Sequence, residues 1–196
     1  MKLETERLVI REWRDSDVEC YITLSGDVGY NCFVRPGHFL VHSEDEARNK
    51  VRERIKLFSE RRLGKFPIFL KETGEFVGTC GLELFDFDGR PEIELGYRLC
   101  LKYWGRGYAT EAAVAALRYG FGDLELKRIM AIALPQNVAS LRVLDKLGSV
   151  YLCDFLFAGL TYRLYDVPRT RYVGLDQEPG ASQVPESGSP PALRTV

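Results

Sequence analysis

Short segments in which apolar and polar residues alternate recur along the chain, and this period of two predicts β-strands. Seven strands are predicted, at about 7–13, 66–71, 76–85, 92–101, 127–134, 150–158 and 160–166. Turn residues rich in Gly and Asp join the second, third and fourth of them, which predicts an antiparallel meander.

Helical periodicity fills most of the longer gaps between these strands. Four helices are predicted, at about 18–25, 43–62, 109–122 and 137–148. The N-cap candidates are Asp15, Ser16 or Asp17 for the first, Ser43 for the second and Asn137 for the fourth, and Ser16 with Glu19 and Ser43 with Glu46 have the spacing of capping boxes. The helix at 109–122 connects two strands by a crossover, which favours a parallel pair. The predicted fold class is therefore α+β: a mixed, mostly antiparallel seven-stranded sheet with helices on both faces and a central parallel strand pair.

Composition adds a boundary near the C-terminus. The chain has 196 residues and 45% apolar content, which suits one folded domain with a tail. From Gln177 to Val196 the sequence is rich in Pro, Gly and Ser and nearly lacks large apolar residues. We predict a domain at 1–168 and a disordered tail at 169–196, since such a tail cannot bury enough apolar surface to fold.

The charge balance argues against nucleic-acid and membrane partners. There are 27 basic and 28 acidic residues, which gives a formal net charge of −1. Basic residues crowd the helix at 43–62, but acidic residues alternate with them, so a solvated face is expected. The apolar runs are too short to span a bilayer, and the charged N-terminus is unlike a signal peptide. These features predict a cytoplasmic protein.

Cysteine and histidine usage predicts neither disulfides nor a metal site. The five cysteines are scattered, show no CxxC pair, and are accompanied by two histidines: Cys20, Cys32, Cys80, Cys100, Cys153, His38 and His42. Reduced cysteines packed as small hydrophobic side chains are expected, in a reducing compartment. No metal cofactor is predicted.

The stretch from Glu92 to Glu111 carries the strongest chemical signal. A strand leads into the loop Gly105-Arg106-Gly107, and strong helix formers follow from Ala109. Unpaired N–H groups at a helix N-terminus bind anions, and the helix dipole favours phosphate. The pattern predicts a phosphate-binding loop.

Several short motifs occur in an order that resembles a known family. They are Thr5-Glu6-Arg7-Leu8 with Arg11, Gly78-Thr79-Cys80-Gly81-Leu82, Glu94-Leu95-Gly96-Tyr97, Tyr103 to Ala112, and Asn137-x-x-Ser140-x-x-Val143-Leu144-x-Lys146-Leu147-Gly148. Over about residues 3–166 the chain resembles the GCN5-related N-acetyltransferases, abbreviated GNAT, and within them the RimJ/RimL branch. That branch acetylates protein N-termini and related amines.

The resemblance implies acetyl-CoA as the co-substrate. It implies that backbone N–H groups of Arg106 to Thr110 hold the pyrophosphate, with Trp104 where the family often has Gln or Arg. The implied cofactor-binding residues are Leu99, Cys100, Leu101, Arg106, Gly107, Tyr108, Ala109, Thr110, Asn137 and Ser140. Main-chain atoms of the first three would pair with the pantetheine arm. Asn137 would contact that arm, or serve only as a helix cap, and the two roles are compatible.

Transfer of an acetyl group to an amine needs a base, because an ammonium must lose a proton before it attacks. Glu94 is the first candidate and Glu92 the second, since both lie on the strand face opposite Ile93 and Leu95. Either could instead be an ordinary exposed strand carboxylate.

Protonation of the departing thiolate needs an acid or a hydrogen-bond donor. Relatives often have a Tyr seven residues after the asparagine, where this chain has Leu144. In the RimJ/RimL branch a serine three residues after the asparagine lies near the sulfur, and Ser140 matches it; its alternative role is helix capping. Cys100 has no nearby base in the sequence, so direct transfer in a ternary complex is expected.

Two functions remain open on the sequence alone. The first is an acetyltransferase acting on a peptide N-terminus or on a small amine such as an aminoglycoside or polyamine. The second is a non-catalytic CoA-binding or interaction module. Acceptor specificity is expected in residues 26–64 and in the last hairpin, and the irregular segment 26–42 with Arg35-Pro36-Gly37 either lines the site or merely connects elements. A monomer or a homodimer is expected.

Overall fold

A computed structural model describes residues 1–33, 40–157 and 159–172 of the chain. Within these residues eight strands form one sheet: β1 Lys2–Glu4, β2 Leu8–Arg11, β3 Gly64–Leu70, β4 Phe76–Phe87, β5 Arg90–Leu99, β6 Ile129–Ala133, β7 Val150–Phe157 and β8 Leu160–Val167. Their order across the sheet is β1-β2-β3-β4-β5-β6-β8-β7. The predicted α+β fold with its mixed sheet is confirmed.

One parallel pair interrupts an otherwise antiparallel sheet. β4 and β5 pair over ten residues, from Gly78 opposite Leu99 to Phe87 opposite Arg90. β5 and β6 run parallel as predicted, and in the described residues their register consists of Glu94 opposite Met130. The predicted strand count of seven was one too low, because three-residue β1 is too short to show a period of two; it pairs with β2.

Helices cover both faces of the sheet. They are α1 Val18–Gly26, α2 Val28–Asn31, α3 Glu44–Arg61, α4 Tyr108–Arg118 and α5 Val138–Lys146. From α2 and α3, Tyr30 and Arg54 contact Thr79 and Glu83 of β4. On the other face the β5 residue Tyr97, which lies opposite Cys80 of β4, contacts α5. Small buried residues of α4 let it pack closely on this second face: Ala112, Ala113 and Ala116.

The helix caps were predicted with mixed success. Ser43 accepts a hydrogen bond from Glu46 N, as predicted for the start of α3. The predicted capping box of Ser16 and Glu19 was wrong, because residues 15–17 form a 3-10 turn and Asp17 becomes the N-cap of α1. The Asp17 carboxylate binds the Arg11 guanidinium at 2.7 and 2.8 Å, and this ion pair fixes the turn instead.

Two connecting regions differ from the prediction. The segment after α1 is not wholly irregular, since Asp27 caps α2 by accepting from Tyr30 N at 2.7 Å. The motif Arg35-Pro36-Gly37 lies outside the described residues. Helix α4 ends earlier than predicted, and a π-helical turn at Tyr119–Asp123 leads toward β6.

The ordered chain continues past residue 168. After the turn Arg169–Arg171, Tyr172 is buried, stacks on Phe121 and donates its hydroxyl to Leu147 O at 2.8 Å. Residues 173–196 lie outside the described part, so disorder there stays a prediction. In the described ranges, no helix has the length and apolar character needed to cross a membrane.

Candidate active site

A cavity of about 670 Å³ opens where β5 and β6 separate. Beyond Glu94 and Met130 the two strands no longer pair, and residues 95–99 of β5 face Ile132 and Ala133 of β6 across the opening. The glycine loop and the start of α4 form one end of its lining, and α5 forms part of a side wall. This gap in the sheet is what gives the predicted site residues a common space.

The glycine loop places the N-terminus of α4 at the cavity. Gly107 is the N-cap residue with φ of 82°, a left-handed conformation that favours glycine. The hydrogen bond from Glu111 N to Gly107 O, at 3.1 Å, closes the first turn of the helix. The N–H groups of Tyr108, Ala109 and Thr110 therefore precede the regular helical bonds, and these three residues line the cavity.

An N-terminal clasp, formed by Thr5, Arg7 and Glu111, holds this loop in place. One Glu111 oxygen accepts from Thr5 Oγ1 at 2.6 Å and from Arg7 N at 2.8 Å, while the other accepts from Arg7 Nε at 2.7 Å. Arg7 also donates to Arg106 O at 3.0 Å. The motif at the start of the chain thus fixes a loop about a hundred residues away.

The residues between β5 and the glycine loop are only partly at the cavity. Leu99 lines it, but its carbonyl accepts from Trp104 Nε1 at 2.8 Å. Cys100 N donates to Val77 O and Leu101 N donates to Asp27, and neither residue lines the cavity. Arg106 does not line it either. The structure thus brings Leu99 and residues 107–110 to the cavity, while Cys100, Leu101 and Arg106 lie outside its lining.

Asn137 and Ser140 stand together at the start of α5. Asn137 Oδ1 accepts from Ser140 N at 3.0 Å, so the predicted cap is confirmed. Both residues line the cavity. The hydroxyl of Tyr97 lies 3.0 Å from Ser140 Oγ and donates to Ser140 O at 3.2 Å. Burial raises the pKa of Tyr97 far above its ordinary value, which keeps the phenol protonated.

The two candidate glutamates have different surroundings. Glu94 lines the cavity, and its Oε2 accepts from Lys65 Nζ at 3.2 Å. Glu92 is outside the lining and accepts from the half-exposed Arg128 at 3.3 Å. The structure therefore brings Glu94, but not Glu92, into the same cavity as Ser140 and the glycine loop.

Glu94 belongs to a buried charge cluster, formed by Lys65, Glu83, Glu94 and Arg54. Lys65 Nζ also lies 3.4 Å from Glu83, and Arg54 donates to the other oxygen of Glu83. Burial alone would lower the pKa of Lys65, but Glu94 and Glu83 outweigh it and raise that pKa. Burial would likewise raise the pKa of Glu83, but Lys65 and Arg54 lower it. Lys65 is thus a permanent cation at neutral pH.

Lys65 reaches Glu94 across a glycine. It lies opposite Gly81 of β4, which in turn lies opposite Gly96 of β5. A Cβ at Gly96 would stand 2.1 Å from Lys65 Cε and 2.4 Å from its Nζ. The absence of a side chain at Gly96 therefore makes room for the ammonium.

The cysteines stay away from the cavity lining that the structure describes. Cys80 and Cys100 are buried, and burial raises the pKa of each thiol to about 12. A thiol in this state is a poor nucleophile at neutral pH. No group of three or more His, Cys, Asp or Glu side chains suited to a metal ion occurs in residues 1–33, 40–157 and 159–172.

Comparison with known proteins identifies the family. The model of the acetyltransferase (GNAT) domain matches residues 7–150, most of the chain. The chain belongs to the GNAT acetyltransferase family. This confirms the superfamily resemblance, and because its relatives are named N-acetyltransferases, the protein is an enzyme of that class.

The relatives and solved structures agree with this assignment. The GNAT chain is 36% identical over 149 residues to the uncharacterized N-acetyltransferase p20 of Bacillus licheniformis, covering 74% of this chain and 80% of that protein. A GNAT-family acetyltransferase structure from Bacillus anthracis has a TM-score of 0.69 at 28% identity, covering 87% of this chain and 99% of that one. RimL, a ribosomal alpha-N-protein acetyltransferase in complex with coenzyme A, has a TM-score of 0.72 at 16% identity, covering 85% and 97%; it shows a shared fold.

Sequence reasoning missed three polar residues of the site. Tyr97 was named only as part of the motif Glu94-Leu95-Gly96-Tyr97, with no role, and Lys65 and Glu83 were not singled out. The signal for Lys65 was the presence of Gly81 and Gly96 inside strands, since glycine in a strand often marks the close approach of another group. No comparable local signal marks Glu83.

Proposed function

We propose that this GNAT enzyme transfers the acetyl group of acetyl-CoA to a primary amine by direct attack in a ternary complex. One observation carries the proposal: a single cavity brings together an anion-binding helix N-terminus, the hydroxyls of Tyr97 and Ser140, and the carboxylate of Glu94. Binding of a phosphorylated donor, loss of a proton from the amine and departure of a thiolate each have a matching group.

At the donor end the residues present fit acetyl-CoA. Free N–H groups in the first turn of α4 and its dipole favour the pyrophosphate, and Gly107 keeps the approach open. The clasp at Glu111 holds the loop in shape before the ligand arrives. Asn137 and the open edge of β5 at residues 95–99 suit the pantetheine arm. The bound co-substrate supplies the acetyl thioester.

At the acceptor end Glu94 is the proposed base, directly or through water. An alkylammonium is mostly protonated at neutral pH, so a carboxylate must take its proton before attack. Glu94 lines the cavity, whereas Glu92 is tied to Arg128 outside it. Lys65 does not compete for the proton, because its raised pKa keeps it charged; its role is to hold the Glu94 carboxylate in position.

Ser140 is the proposed donor to the leaving sulfur, and Tyr97 positions it. Their hydroxyl oxygens lie 3.0 Å apart, and Tyr97 fixes the position of the Ser140 side chain. Because the Tyr97 phenol stays protonated and donates to Ser140 O, the Ser140 hydroxyl is left to donate toward the cavity. The pair takes the place of the tyrosine that relatives carry where this chain has the buried Leu144.

The direct mechanism has a simple test. Incubation with acetyl-CoA alone, followed by intact-mass measurement, is expected to leave the protein unmodified, because Cys100 is buried with a raised pKa. A stable acetylated protein that then transfers its acetyl group to an amine would contradict direct attack.

The acceptor is proposed to be a protein N-terminal amine or a small-molecule amine. RimL, which shares the fold, is named as an acetyltransferase of a protein α-amine. Release of CoA should be measured with a panel of peptides and small amines. Turnover on at least one of them is expected, whereas tight CoA binding with no turnover on any would support a non-catalytic CoA-binding module instead.

A further inference from the structure

Four aromatic side chains form an aromatic wall, of which three line the cavity and Phe155 packs against them: Phe85, Phe155, Phe157 and Tyr162. The ring of Phe85 lies 5.3 Å from Phe157 and 5.9 Å from Phe155. Tyr162 lies 6.1 Å from both Phe155 and Phe157, measured between ring centroids. The β7–β8 hairpin therefore brings its aromatic residues against the middle of the sheet, at β4.

The aromatic wall adjoins the proposed base. Phe85 follows Glu83 by two residues in β4, so the two side chains share a sheet face, and Glu83 lies opposite Glu94. Phe85, Phe157 and Tyr162 line the same cavity as Glu94. Phe157 is 40% exposed, which leaves apolar ring surface open to a molecule in the cavity. An amine placed at Glu94 would thus have this surface beside it.

The charges of the cavity lining disfavour a polycation. Among its described residues there are two carboxylates, Glu83 and Glu94, and four cations, Lys65, Arg98, Arg142 and Lys146. Both carboxylates are also ion-paired with Lys65. Arg142 and Lys146 lie on α5, so at the acceptor end Lys65 and Arg98 balance the two carboxylates and no excess negative charge favours a second positive charge on the acceptor.

We propose that the acceptor is a monoamine with an apolar, preferably aromatic, group within a few bonds of its amino group. This inference rests on the proposed acetyltransferase function and narrows its substrate. The apolar group packs on the aromatic wall while the amine reaches Glu94. An arylalkylamine has this combination of an amino group and a nearby apolar group, and so does a peptide whose first residue is large and apolar. Polyamines and aminoglycosides are excluded.

The first experiment compares acceptors at saturating acetyl-CoA by measuring CoA release. The panel contains phenylethylamine, ethanolamine, spermidine and two short peptides that begin with phenylalanine or serine. We expect kcat/KM to be higher by about tenfold or more for phenylethylamine than for ethanolamine, or for the phenylalanine peptide than for the serine peptide. A discrimination of this size is typical when one substrate fills an apolar pocket and the other does not. Which of the two is preferred separates a small-molecule acceptor from a peptide.

The second experiment uses a matched pair of substitutions in β7. Phe157→Ser removes one ring of the aromatic wall, whereas Leu156→Ser changes a neighbouring residue that is 75% exposed and outside the cavity lining. Phe157→Ser should abolish most of the preference for the apolar amine by lowering kcat/KM for that amine, and the KM for acetyl-CoA is measured alongside to check the donor end. Leu156→Ser should leave all of these unchanged. Both positions are exposed enough for the variants to fold.

The outcomes separate this inference from the proposed function. If kcat/KM is higher for spermidine or ethanolamine than for both phenylethylamine and the phenylalanine peptide, the inference about the acceptor is wrong. The proposed acetyltransferase function would still stand. An apolar preference that survives Phe157→Ser, or falls equally in Leu156→Ser, overturns the assignment to the aromatic wall. No turnover on any amine overturns the proposed function and the inference with it.

Discussion

The donor end and the acceptor end of the cavity are built in opposite ways. The donor end comes largely from one continuous stretch, from β5 through the glycine loop into α4, and it presents backbone N–H groups. The acceptor end is assembled from side chains of β3, β4, β5 and the β7–β8 hairpin. Backbone binding sites depend on local conformation, whereas a side-chain cluster depends on long-range pairing.

The two ends also differ in electrostatics. The donor end relies on a helix N-terminus near the surface, which suits an anionic ligand that enters from solvent. At the acceptor end the side chains of Lys65 and Glu94 are each only 14% exposed, so their charges depend on one another. Removing one partner of the Lys65–Glu94 pair should therefore threaten stability, whereas a substitution at the donor end should mainly affect binding.

The largest effect is expected from removing the buried cation. Lys65→Met leaves the largely buried Glu94 without its ammonium partner, which should lower the free energy of unfolding by about 3–5 kcal/mol. The measurement is urea denaturation at neutral pH. The matched control is Lys71→Met, because Lys71 pairs with the half-exposed Glu4 and should cost less than about 1 kcal/mol. Equal losses in the two variants would contradict a buried cluster.

A smaller effect, on ligand binding, is expected from the glycine loop. Gly107→Ala forces a side chain into a left-handed conformation that costs about 1–2 kcal/mol, so the Kd for CoA should rise roughly tenfold. Gly122→Ala is the control, since a Cβ there meets open space. Calorimetric titration with CoA measures both. A Kd unchanged in Gly107→Ala would mean that the loop does not hold the co-substrate.

The smallest effect is expected at the N-terminal clasp. Partial burial disfavours the Glu111 carboxylate, but hydrogen bonds from Thr5 and Arg7 outweigh this and lower its pKa below the ordinary value of 4.5. A carboxyl with a lowered pKa in the folded state stabilises the protein above pH 4.5, and that contribution is lost as pH falls further.

Glu111→Gln should therefore destabilise the protein at neutral pH by about 1 kcal/mol or less, because Arg7 is half-exposed. The difference from the unsubstituted protein should shrink as the pH falls below 4.5. Thermal unfolding at several pH values measures it. A difference that grows at low pH would contradict the ionised clasp.

The sequence predicted the local conformation of the donor end better than its lining, since Cys100, Leu101 and Arg106 lie outside the cavity. The glycine loop, the start of α4 and the Asn137 cap are local features with their own residue signatures, and the family motifs made them specific. The parallel pair followed from the crossover helix between two strands. Even the motif at Thr5 and Arg7 was recognised, although its contact with Glu111 was not.

The acceptor end could not be predicted in the same way. Lys65 reaches Glu94 only because two strand pairings place Gly81 and Gly96 between them, and pairing register is not visible in one sequence. Likewise, Phe85 and Phe157 are far apart in the chain and meet only because the hairpin folds onto β4. The choice between Glu92 and Glu94 had the same difficulty, since both lie on one strand face and differ only in distant partners.

The assignment of Glu94 as base is the central claim, and the pair Glu94→Gln and Glu92→Gln tests it most directly. With saturating acetyl-CoA and the best amine, Glu94→Gln should lower kcat/KM for the amine by about 10²–10⁴-fold at neutral pH. The loss should shrink toward about pH 9, where more of the amine is already neutral. Glu92→Gln should stay close to the unsubstituted rate, and CoA affinity should be unchanged in both. A loss confined to Glu92→Gln, or one in Glu94→Gln that does not depend on pH, would contradict the account.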